Sequence, residues 1–383
     1  MRVLVVPKWY PSPARPVFGI FCREHARALA RTHDVVVLAS DAVQSPGFAA
    51  FELTEAVEDG LRTLRVRYRR PVFRPAGMAF QIVGMLSALR RLRHDGWRPE
   101  IVHAHVYSAG LPALILGRLT GANVVISEHY TGFQRGLITG YDLFTARVAF
   151  RFADLVAPVS RDLARHVQAV EPRARVRVIE NVVDTDVFHP AAEQHGRTPD
   201  GSARLLTVAA LVAKKGHADL LEALAELRNE RALTLDLVGE GELRTELQER
   251  ARRLGLAEVV RFHGERPKDA VAELMRQADL FVLPSLFENL PCVLIEAMAS
   301  GLPSVATAVG GVADLMDHDF GALCASRDPR ALAAAICSVL DRREEIDQSA
   351  LADRARRRFG YEAIERNWTQ IYDELRSSAG TTS

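Results

Sequence analysis

Residues 285–303 read Ser285-Leu-Phe-Glu-Asn-Leu-Pro-Cys-Val-Leu-Ile-Glu-Ala-Met-Ala-Ser-Gly-Leu-Pro303 and follow a short apolar run at 278–284. The apolar run predicts a buried strand. The residues after it predict a helix over 290–300, with Asn289 as its cap and Pro291 in its first turn. Backbone N–H groups at such a helix start face the carboxyl end of the strand, where open α/β sheets bind phosphates. The segment therefore predicts a parallel α/β fold with an anion site at this edge.

The same run carries two glutamates, Glu288 and Glu296, with seven residues between them. Glu288 comes at the exit of the strand, beside the predicted anion site, whereas Glu296 lies more than one turn into the helix. Carboxylates so placed can contact different parts of one ligand, one the hydroxyls of a sugar and the other those of a ribose. The run favours a nucleotide-sugar site over the alternative of two unrelated, solvated glutamates.

The chain has 383 residues, of which 48% are hydrophobic and 25% charged, as in globular proteins too long for a single ordinary core. No apolar stretch approaches the ~18 residues of a membrane-spanning helix. Arg2-Val-Leu-Val-Val6 predicts a buried strand and not a secretory signal, so we expect a cytoplasmic protein. The four cysteines have neither metal-ligand spacing nor a disulfide pattern. No metal site is predicted from them.

Short apolar runs alternate with helical stretches throughout, which predicts parallel βαβ units. A polar stretch rich in proline and glycine interrupts the pattern at 189–202, and it predicts a domain boundary. The expected fold is α/β, with two Rossmann-like, doubly wound parallel-sheet domains, residues 1–190 and 191–360, facing each other across a cleft. An amphipathic helix at about 361–376 is expected to cross back onto the first domain. A strand is also predicted at 176–180.

Three further motifs in the second half join strands to helices. Lys214-Lys215-Gly216 places a lysine just before a predicted helix start, where its charge and the helix dipole suit a diphosphate. Gly239 and Gly241 form a turn after a strand but lack the third glycine of a dinucleotide fingerprint. The backbone at His263-Gly264, also at a strand end, could meet a nucleobase.

In the first half, Glu128 and His129 end a predicted strand. A histidine in that position can hydrogen-bond a sugar hydroxyl or move a proton. His103 and His105, on one face of a neighbouring strand, compete with His129 for that role. Asp184-Thr-Asp186 matches an Asp-x-Asp metal pattern, but no other ligand cluster is near it in the sequence.

Together these residues resemble the retaining glycosyltransferases of family 4, whose fold is called GT-B. The resemblance is most specific over 204–325 and extends more weakly over nearly the whole chain. It rests on Glu288 and Glu296, on Lys215-Gly216, and on Asn181-Val-Val-Asp-Thr-Asp-Val-Phe188. Gly19 in Pro16-Val-Phe-Gly-Ile-Phe21 is similar to the glycine loop of the family's first domain, and His129 is similar to its histidine.

The resemblance implies a role for each matching residue. Lys215 would bind the donor diphosphate, Glu296 the ribose, and Glu288 the donor sugar. His129 would contact the transferred sugar, so that His129 and Glu288 are the candidate catalytic residues. The other candidate positions are Gly216, Gly239, His263, Asn289, Leu290 and Pro291 on the donor side and Gly19 in the acceptor or phosphate loop. No metal or cofactor is implied beyond a UDP- or GDP-sugar as substrate, because protein groups would offset the charge of the leaving diphosphate.

Three positions depart from the family pattern. Ala210 stands where an arginine is common, so one expected cation for the diphosphate is missing. The loop at Gly19 has one glycine where many members have two. Asp314 replaces a more usual glutamate. The affinity for the donor diphosphate is the property that Ala210, in place of this arginine, would change.

Charge divides the chain into unlike halves. Residues 1–190 hold 25 basic and 17 acidic side chains, whereas residues 191–383 hold 24 and 31. Ten arginines lie between Arg62 and Arg98, with Asp95 the one acid in that range. Together with a predicted helix at 78–94 they suggest peripheral contact with an anionic membrane surface, the alternative being a core-packing helix with a solvated basic end. Nucleic acid is not expected as a partner, because no aromatic platform accompanies the arginines.

The sequence therefore predicts a metal-independent retaining glycosyltransferase. It would move a hexose from a UDP- or GDP-sugar to a glycan or lipid-linked saccharide, in the synthesis of a polysaccharide or glycoconjugate. Two alternatives stay open: a non-catalytic nucleotide-sugar-binding subunit of a synthase, which Ala210 suggests, and a GT-B-type sugar-nucleotide epimerase.

Overall fold

The computed structural model describes residues 1–44, 49–70, 74–191 and 202–380. The chain divides into two compact units, Met1–Glu180 with Tyr361–Ser383 and Asn181–Gly360. Most of the polar stretch at 189–202, where the sequence predicts a boundary, lies outside the described residues.

The division at Glu180 comes ten residues before the predicted one. Contacts within the second unit explain the difference. Asn181 Nδ2 donates to the carbonyl of Leu290 (2.6 Å), and the Val183 N–H donates to that of Phe359 (2.8 Å). Lys268 Nζ donates to Asp184 (3.0 Å). Residues 181–188 therefore belong with the second unit.

The first unit is built on a seven-stranded sheet in the order β3-β4-β2-β1-β5-β6-β7. The central strands are buried on both faces, as expected for a parallel sheet covered by helices. Its elements are β1 (Arg2–Pro7), α1 (Ile20–Leu29), β2 (Asp34–Val43), β3 (Phe51–Glu58), β4 (Leu61–Arg69), α2 (Arg74–His94), β5 (Ile101–His105), α3 (Tyr107–Thr120), β6 (Asn123–Glu128), α4 (Gly140–Phe152), β7 (Leu155–Pro158) and α5 (Arg161–Val170).

The second unit has a fully parallel six-stranded sheet in the order β10-β9-β8-β11-β12-β13. Its elements are β8 (Ala203–Val208), α6 (His217–Leu227), β9 (Leu233–Val238), α7 (Arg244–Arg253), β10 (Val260–Gly264), α8 (Lys268–Gln277), β11 (Leu280–Leu283), α9 (Cys292–Ala299), β12 (Ser304–Thr307), α10 (Val312–Leu315), β13 (Gly321–Cys324), α11 (Pro329–Asp341) and α12 (Gln348–Phe359), with short 3-10 turns at Ala213–Lys215 and Arg343–Glu345.

The last helix, α13 (Tyr361–Gly380), packs on the first unit against α1. Trp368 and Tyr372 are fully buried there. The Tyr372 hydroxyl is hydrogen-bonded to His103 Nδ1 at 2.7 Å, and Thr32 Oγ1 donates to Glu365 at 2.5 Å. The final helix thus contributes core residues to the domain that begins the chain.

One strand breaks the parallel pattern expected from the sequence. β3 pairs antiparallel with β4 at the edge of the first sheet. Most of its residues are exposed, and its sequence, Phe-Glu-Leu-Thr-Glu-Ala-Val-Glu, lacks the apolar run typical of a buried parallel strand. Conversely, the predicted strand at 176–180 is only an isolated bridge between Val156 and Val176. The polar edge strand was missed because apolar runs were the criterion.

The glutamates of β3 change the meaning of the arginine-rich stretch. Arg62 donates to Glu55 (2.8 Å), Arg65 to Glu58 (2.6 Å) and Arg67 to Glu52 (2.9 Å). Glu55 also accepts from Arg91 on α2 (2.5 Å), and Asp95 accepts from Arg62 (2.5 Å). Four of the ten arginines between positions 62 and 98 are therefore paired with glutamates of a strand outside that range.

Helix α2 carries its apolar side chains into the first unit. Met85, Leu89 and Leu92 are buried, and the helix packs on β4. This agrees with the core-packing alternative for the predicted helix at 78–94. Within the described ranges, no helix is long and apolar enough to cross a membrane.

Candidate functional site

A lysine and a glutamate predicted to touch the same ligand lie in contact in the second unit. Lys215 ends the 3-10 turn after β8, and Glu288 lies in the loop after β11. Lys215 Nζ donates to Glu288 Oε1 at 2.5 Å, and Ser285 Oγ donates to the same oxygen at 2.7 Å. Glu288 is only 5% exposed. A buried carboxylate needs such partners to remain charged.

The loop that holds Glu288 is fixed by three hydrogen bonds from separate parts of the second unit. The Leu286 N–H donates to the carbonyl of Lys214 (2.8 Å), Thr307 Oγ1 donates to that of Ser285, and Asn181 Nδ2 donates to that of Leu290. Sequence reasoning assigned no role to Ser285, Thr307 or Asn181. Asn181 and Ser285 do lie at the ends of two motifs that were recognised, but Thr307 gave no comparable signal.

Helix α9 begins later than its sequence suggests. Pro291 is the N-cap and Cys292 the first helical residue, so the prediction of Asn289 as the cap is wrong. The ring of Pro291 disfavours the helical conformation for the residue before it, which keeps Leu290 out of the helix. Asn289, Leu290 and Pro291 are buried, and they deliver the chain to the N-terminus of α9. Glu296 is half-buried in the second turn.

Two predicted glycines allow chain segments to approach closely. Gly216 is left-handed (φ 67°), and a Cβ atom there would lie 1.9 Å from the carbonyl oxygen of Pro284. Gly239 (φ 142°) would place a Cβ 2.0 Å from the carbonyl oxygen of Ala209. Only glycine fits either position. Gly216 therefore lets the turn that carries Lys215 pack against the start of the Glu288 loop.

The side chain of His263 has an interior partner. His263 Nε2 lies 2.5 Å from Asp236 Oδ1, and Arg204 Nε donates to Asp236 Oδ2 at 2.5 Å. Asp236 is 1% exposed in the middle of β9. The Gly264 carbonyl accepts from the Gly239 N–H at 2.8 Å. The predicted backbone site at 263–264 is thus joined to the turn that contains Gly239.

In the first unit, His129 belongs to a column of aromatic side chains. Its ring stacks on His105 with centroids 5.3 Å apart, and His129 Nε2 lies 3.1 Å from His105 Nδ1. His103 stacks on the other side of His105 and is hydrogen-bonded to Ser127 and Tyr372. His103 and His105 are fully buried, whereas His129 is half-buried. Of the three competing histidines, His129 is the one that solvent reaches.

Burial controls the charge of this column. Desolvation lowers the pKa of His103 to about 3 and holds that of His105 well below its ordinary value. Glu128 is fully buried, and desolvation raises its pKa to about 7 although three backbone N–H groups donate to it, from Tyr107, His129 and Tyr130. The two inner histidines are therefore neutral near pH 7. His129 is oriented by a neutral neighbour.

The remaining first-unit candidate, Gly19, precedes α1. Its backbone is left-handed (φ 75°), and a Cβ atom there would lie 2.4 Å from the backbone carbonyl of Trp9. The glycine lets the loop close onto the segment after β1.

The candidate metal motif at Asp184 lies in the second unit. Asp184 accepts from Lys268 and from the Asp186 N–H (3.2 Å). Among the described residues, no group of three or more potential ligands could hold a metal ion.

Each half of the chain matches the model of a known protein family. "Glycosyltransferase Family 4" matches residues 19–187, and "Glycosyl transferases group 1" matches residues 190–365. D-inositol 3-phosphate glycosyltransferase 2 of Catenulispora acidiphila is 31% identical over 73% of this chain and 71% of its own length. Glycogen synthase of Mycobacterium tuberculosis is 29% identical over 97% of this chain and 94% of its own length.

Among solved structures, HepE of Anabaena in complex with UDP and glucose superposes with a TM-score of 0.75. The match covers 98% of this chain and all of that one at 19% identity, so it shows the fold alone. The architecture of two α/β units and the sequence matches therefore point to the same family. The chain belongs to the family 4 glycosyltransferases and has the GT-B fold.

Proposed function

We propose that this glycosyltransferase moves a hexose from a UDP- or GDP-sugar to a glycan or lipid-linked saccharide, with retention of configuration and without a metal ion. The observation that carries the proposal is the Lys215–Glu288 pair at the entrance to α9. A cation, a carboxylate and a helix N-terminus converge there, and each suits a different part of a sugar diphosphate. The structure of HepE with UDP and glucose, a GT-B neighbour, supports a nucleotide-sugar as donor.

On the donor side, Lys215 would bind the diphosphate and Glu296 the ribose. Glu288, with the backbone of Asn289, Leu290 and Pro291, would hold the sugar and its phosphate. Gly216, Gly239 and His263 would shape the surrounding turns. The second unit would therefore be the donor domain, and the first the acceptor domain.

In the first unit, His129 would contact the transferred sugar, and the loop at Gly19 would approach the phosphate or the acceptor. The fixed contact between His129 and His105 supports this assignment, since a sugar-binding ring must hold one orientation. Contact of arginines 62–98 with an anionic membrane has less support, because glutamates of β3 pair with several of them.

The chemical step would break the bond between C1 of the donor sugar and the diphosphate oxygen, and form a bond from C1 to the acceptor hydroxyl oxygen. Attack would come from the face that the diphosphate leaves, through an oxocarbenium-like state. The acceptor proton would pass to the leaving phosphate oxygen. Lys215 and the N-terminus of α9 would stabilise the negative charge that develops there.

The proposal includes no metal, because Lys215 and the N-terminus of α9 would offset the diphosphate charge that a metal would otherwise neutralise. The candidate metal motif at Asp184 is instead engaged by Lys268 and by backbone. We expect turnover to survive a chelator. Loss of activity with chelator and its return with Mn²⁺ would favour the Asp184 reading.

A second candidate is a non-catalytic nucleotide-sugar-binding subunit of a larger synthase, because Ala210 replaces the arginine common in the family. Ala210 is exposed, and its carbonyl accepts from His217 Nε2 (3.1 Å). Such a subunit would bind donors without hydrolysing or transferring them. An epimerase would interconvert donors with no acceptor present.

A thermal-shift screen with UDP-, GDP- and ADP-sugars tests the proposal first, because a ligand that binds only the folded state raises the melting temperature. The stabilising donor, isotopically labelled in the sugar, is then incubated with glycan and polyprenyl-linked acceptors. Transfer with the anomeric configuration kept is the expected result. Binding of a donor with neither transfer nor hydrolysis would support the second candidate, and no stabilisation by any donor would overturn the proposal.

A further inference from the structure

Exposed apolar side chains gather in one part of the first unit. Of the ten large hydrophobic residues that are exposed within the described ranges, five lie between positions 119 and 152. They are Leu119 on α3, Leu137 before α4, and Tyr141, Phe144 and Phe152 on α4. Single exposed apolar residues are common on proteins, but a cluster of them points to a partner.

Their spacing makes a continuous stripe on α4. Tyr141, Phe144, Val148 and Phe152 follow one another at intervals of three, four and four residues, which places them on one side of a helix. Phe144 is 63% exposed and Phe152 67% exposed. The opposite side, with Ala146, Ala149 and Phe150, is buried. Helix α4 therefore has two apolar faces: one packs into the first unit, and the other is largely exposed to solvent.

Helix α3 extends the stripe into a groove. The two helices pack together, and a groove of about 910 Å³ runs between their outer edges, lined by Leu111, Leu114, Ile115 and Leu119 of α3 and by Val148 and Phe152 of α4. Leu119 is 51% exposed at the end of α3. The unfilled apolar surface thus spans two neighbouring helices.

Arginines border this surface. Arg147 and Arg151 on α4 lie three residues after Phe144 and Val148, and Arg118 lies beside Leu119; all three are exposed. Among the described residues none of the three is paired with a carboxylate, in contrast to Arg62, Arg65 and Arg67 on β4. Arg147 Nε donates to the carbonyl of Val170 at 3.3 Å, which leaves its charge without a carboxylate. Positive charge that no carboxylate neutralises among the described residues therefore lies beside the apolar stripe.

We propose that the outer faces of α3 and α4 form a membrane-docking surface that rests on an anionic lipid bilayer, with Phe144 and Phe152 entering the headgroup boundary and Arg118, Arg147 and Arg151 meeting lipid phosphates. Aromatic and aliphatic side chains flanked by arginine are what an interfacial helix presents to such a membrane. The proposal replaces arginines 62–98 as the membrane contact. It does not depend on the proposed reaction.

A second copy of the chain is a poorer occupant. A symmetric dimer through this face would bring the same stripe, with the same three arginines, against itself. Like charges would then face each other across a dry contact, which is unfavourable. An anionic lipid bilayer complements both the positive charge of the three arginines and the apolar side chains of the stripe.

The test is co-sedimentation of the full chain with vesicles, which needs no transferase activity. The protein should partition onto phosphatidylcholine vesicles containing about 30% phosphatidylglycerol at least about tenfold more than onto phosphatidylcholine alone. The double variants Phe144→Ser/Phe152→Ser and Arg147→Gln/Arg151→Gln should each lower partitioning onto the anionic vesicles about tenfold. Thermal melts would show that the variants fold.

Val57→Ser is the matched control, because Val57 is 75% exposed on the edge strand β3, apart from the docking surface. It should leave partitioning unchanged. Absence of wild-type binding to anionic vesicles, or equal binding by the phenylalanine variant, would overturn the proposal. A dimer in sedimentation velocity that the phenylalanine variant abolishes would assign the surface to a second copy and would overturn it as well.

Discussion

Lys215 and Glu288, seventy-three positions apart in the chain, are joined by a hydrogen bond of 2.5 Å between the ammonium and carboxylate groups. Both side chains are largely withdrawn from solvent. Without a donor each neutralises the other, while Ser285 supplies a second hydrogen bond to the carboxylate. A bound diphosphate would compete with Glu288 for the lysine, so donor binding and the position of Glu288 should be coupled.

Glu288→Gln should lower kcat by about 100-fold or more, the size of effect seen when a single electrostatic group at a reacting centre is lost. The fold should persist because the amide oxygen of glutamine can still accept from Lys215 and Ser285. Steady-state transfer rates and circular dichroism check both parts. Glu258→Gln, at an exposed position of the same unit, is the control. Near-normal turnover in Glu288→Gln would remove Glu288 from the candidate site.

Lys215→Ala should weaken binding of UDP or GDP, as measured by calorimetry. It should also lower the free energy of unfolding by about 2–3 kcal/mol, because Glu288 would be left as a buried charge without its cation. The double variant Lys215→Ala/Glu288→Gln should regain much of that stability and none of the nucleotide affinity. Full affinity in the double variant would show that Lys215 does not meet the nucleotide.

Gly216→Ala should combine backbone strain with a steric contact. Alanine at a left-handed position costs about 1–2 kcal/mol of strain, and here its Cβ would also meet the carbonyl of Pro284 at 1.9 Å. The turn carrying Lys215 must then move away from the Glu288 loop, so KM for the donor should rise about tenfold.

The control for this effect is Gly121→Ala. Gly121 has φ 73° at the end of α3, and no atom lies within 4 Å of the position a Cβ would take. Gly121→Ala should show the strain cost in urea denaturation with an unchanged KM. Equal KM values for the two variants would mean that the close approach at Gly216 does not set the donor site.

The parallel sheets and the family could be predicted from the sequence because they depend on local signals. Runs such as Val3–Val6 and Leu280–Leu283 mark buried strands, and the Glu288 segment carries the family motif. The edge strand β3 was missed because a glutamate at every third position, Glu52, Glu55 and Glu58, interrupts any apolar run. Its pairing with the arginines of β4 depends on strand register, which composition cannot show.

The candidate site shows the same limit. Lys215 and Glu288 were each identified from their motifs, but their contact was not, since each was assigned to a different part of the donor. His103 and His105 could not be separated from His129 by sequence, because all three lie in or directly after predicted buried strands. Only burial distinguishes them: the inner two are fully buried. His103 packs against Trp368 and Tyr372 of α13, a helix from the far end of the chain.

The last prediction concerns Glu128, whose pKa of about 7 in the folded protein exceeds the value of 4.5 expected in the unfolded chain. Between these pH values the folded state keeps a proton that the unfolded state has lost. The stabilising contribution of Glu128 is therefore complete below pH 4.5 and is lost as the pH rises to about 7. His103 acts in the opposite sense: its contribution is complete above pH 6.5 and falls as the pH drops toward 3.

Glu128→Gln should therefore make the protein more sensitive to acid. The difference in unfolding free energy, wild type minus variant, should grow by about 1.4 kcal/mol per pH unit as the pH falls from 7 to about 4.5. The glutamine amide would face the Tyr107 N–H, a cost that does not vary with pH. Urea denaturation at several pH values measures the slope, and Glu100→Gln, whose carboxyl has a lowered pKa because the Arg2 N–H donates to it, should give a flat difference over this window. A flat difference for Glu128→Gln as well would mean that the pKa of the buried carboxyl lies near its ordinary value. The three backbone hydrogen bonds, which lower the pKa, would then outweigh the desolvation that raises it.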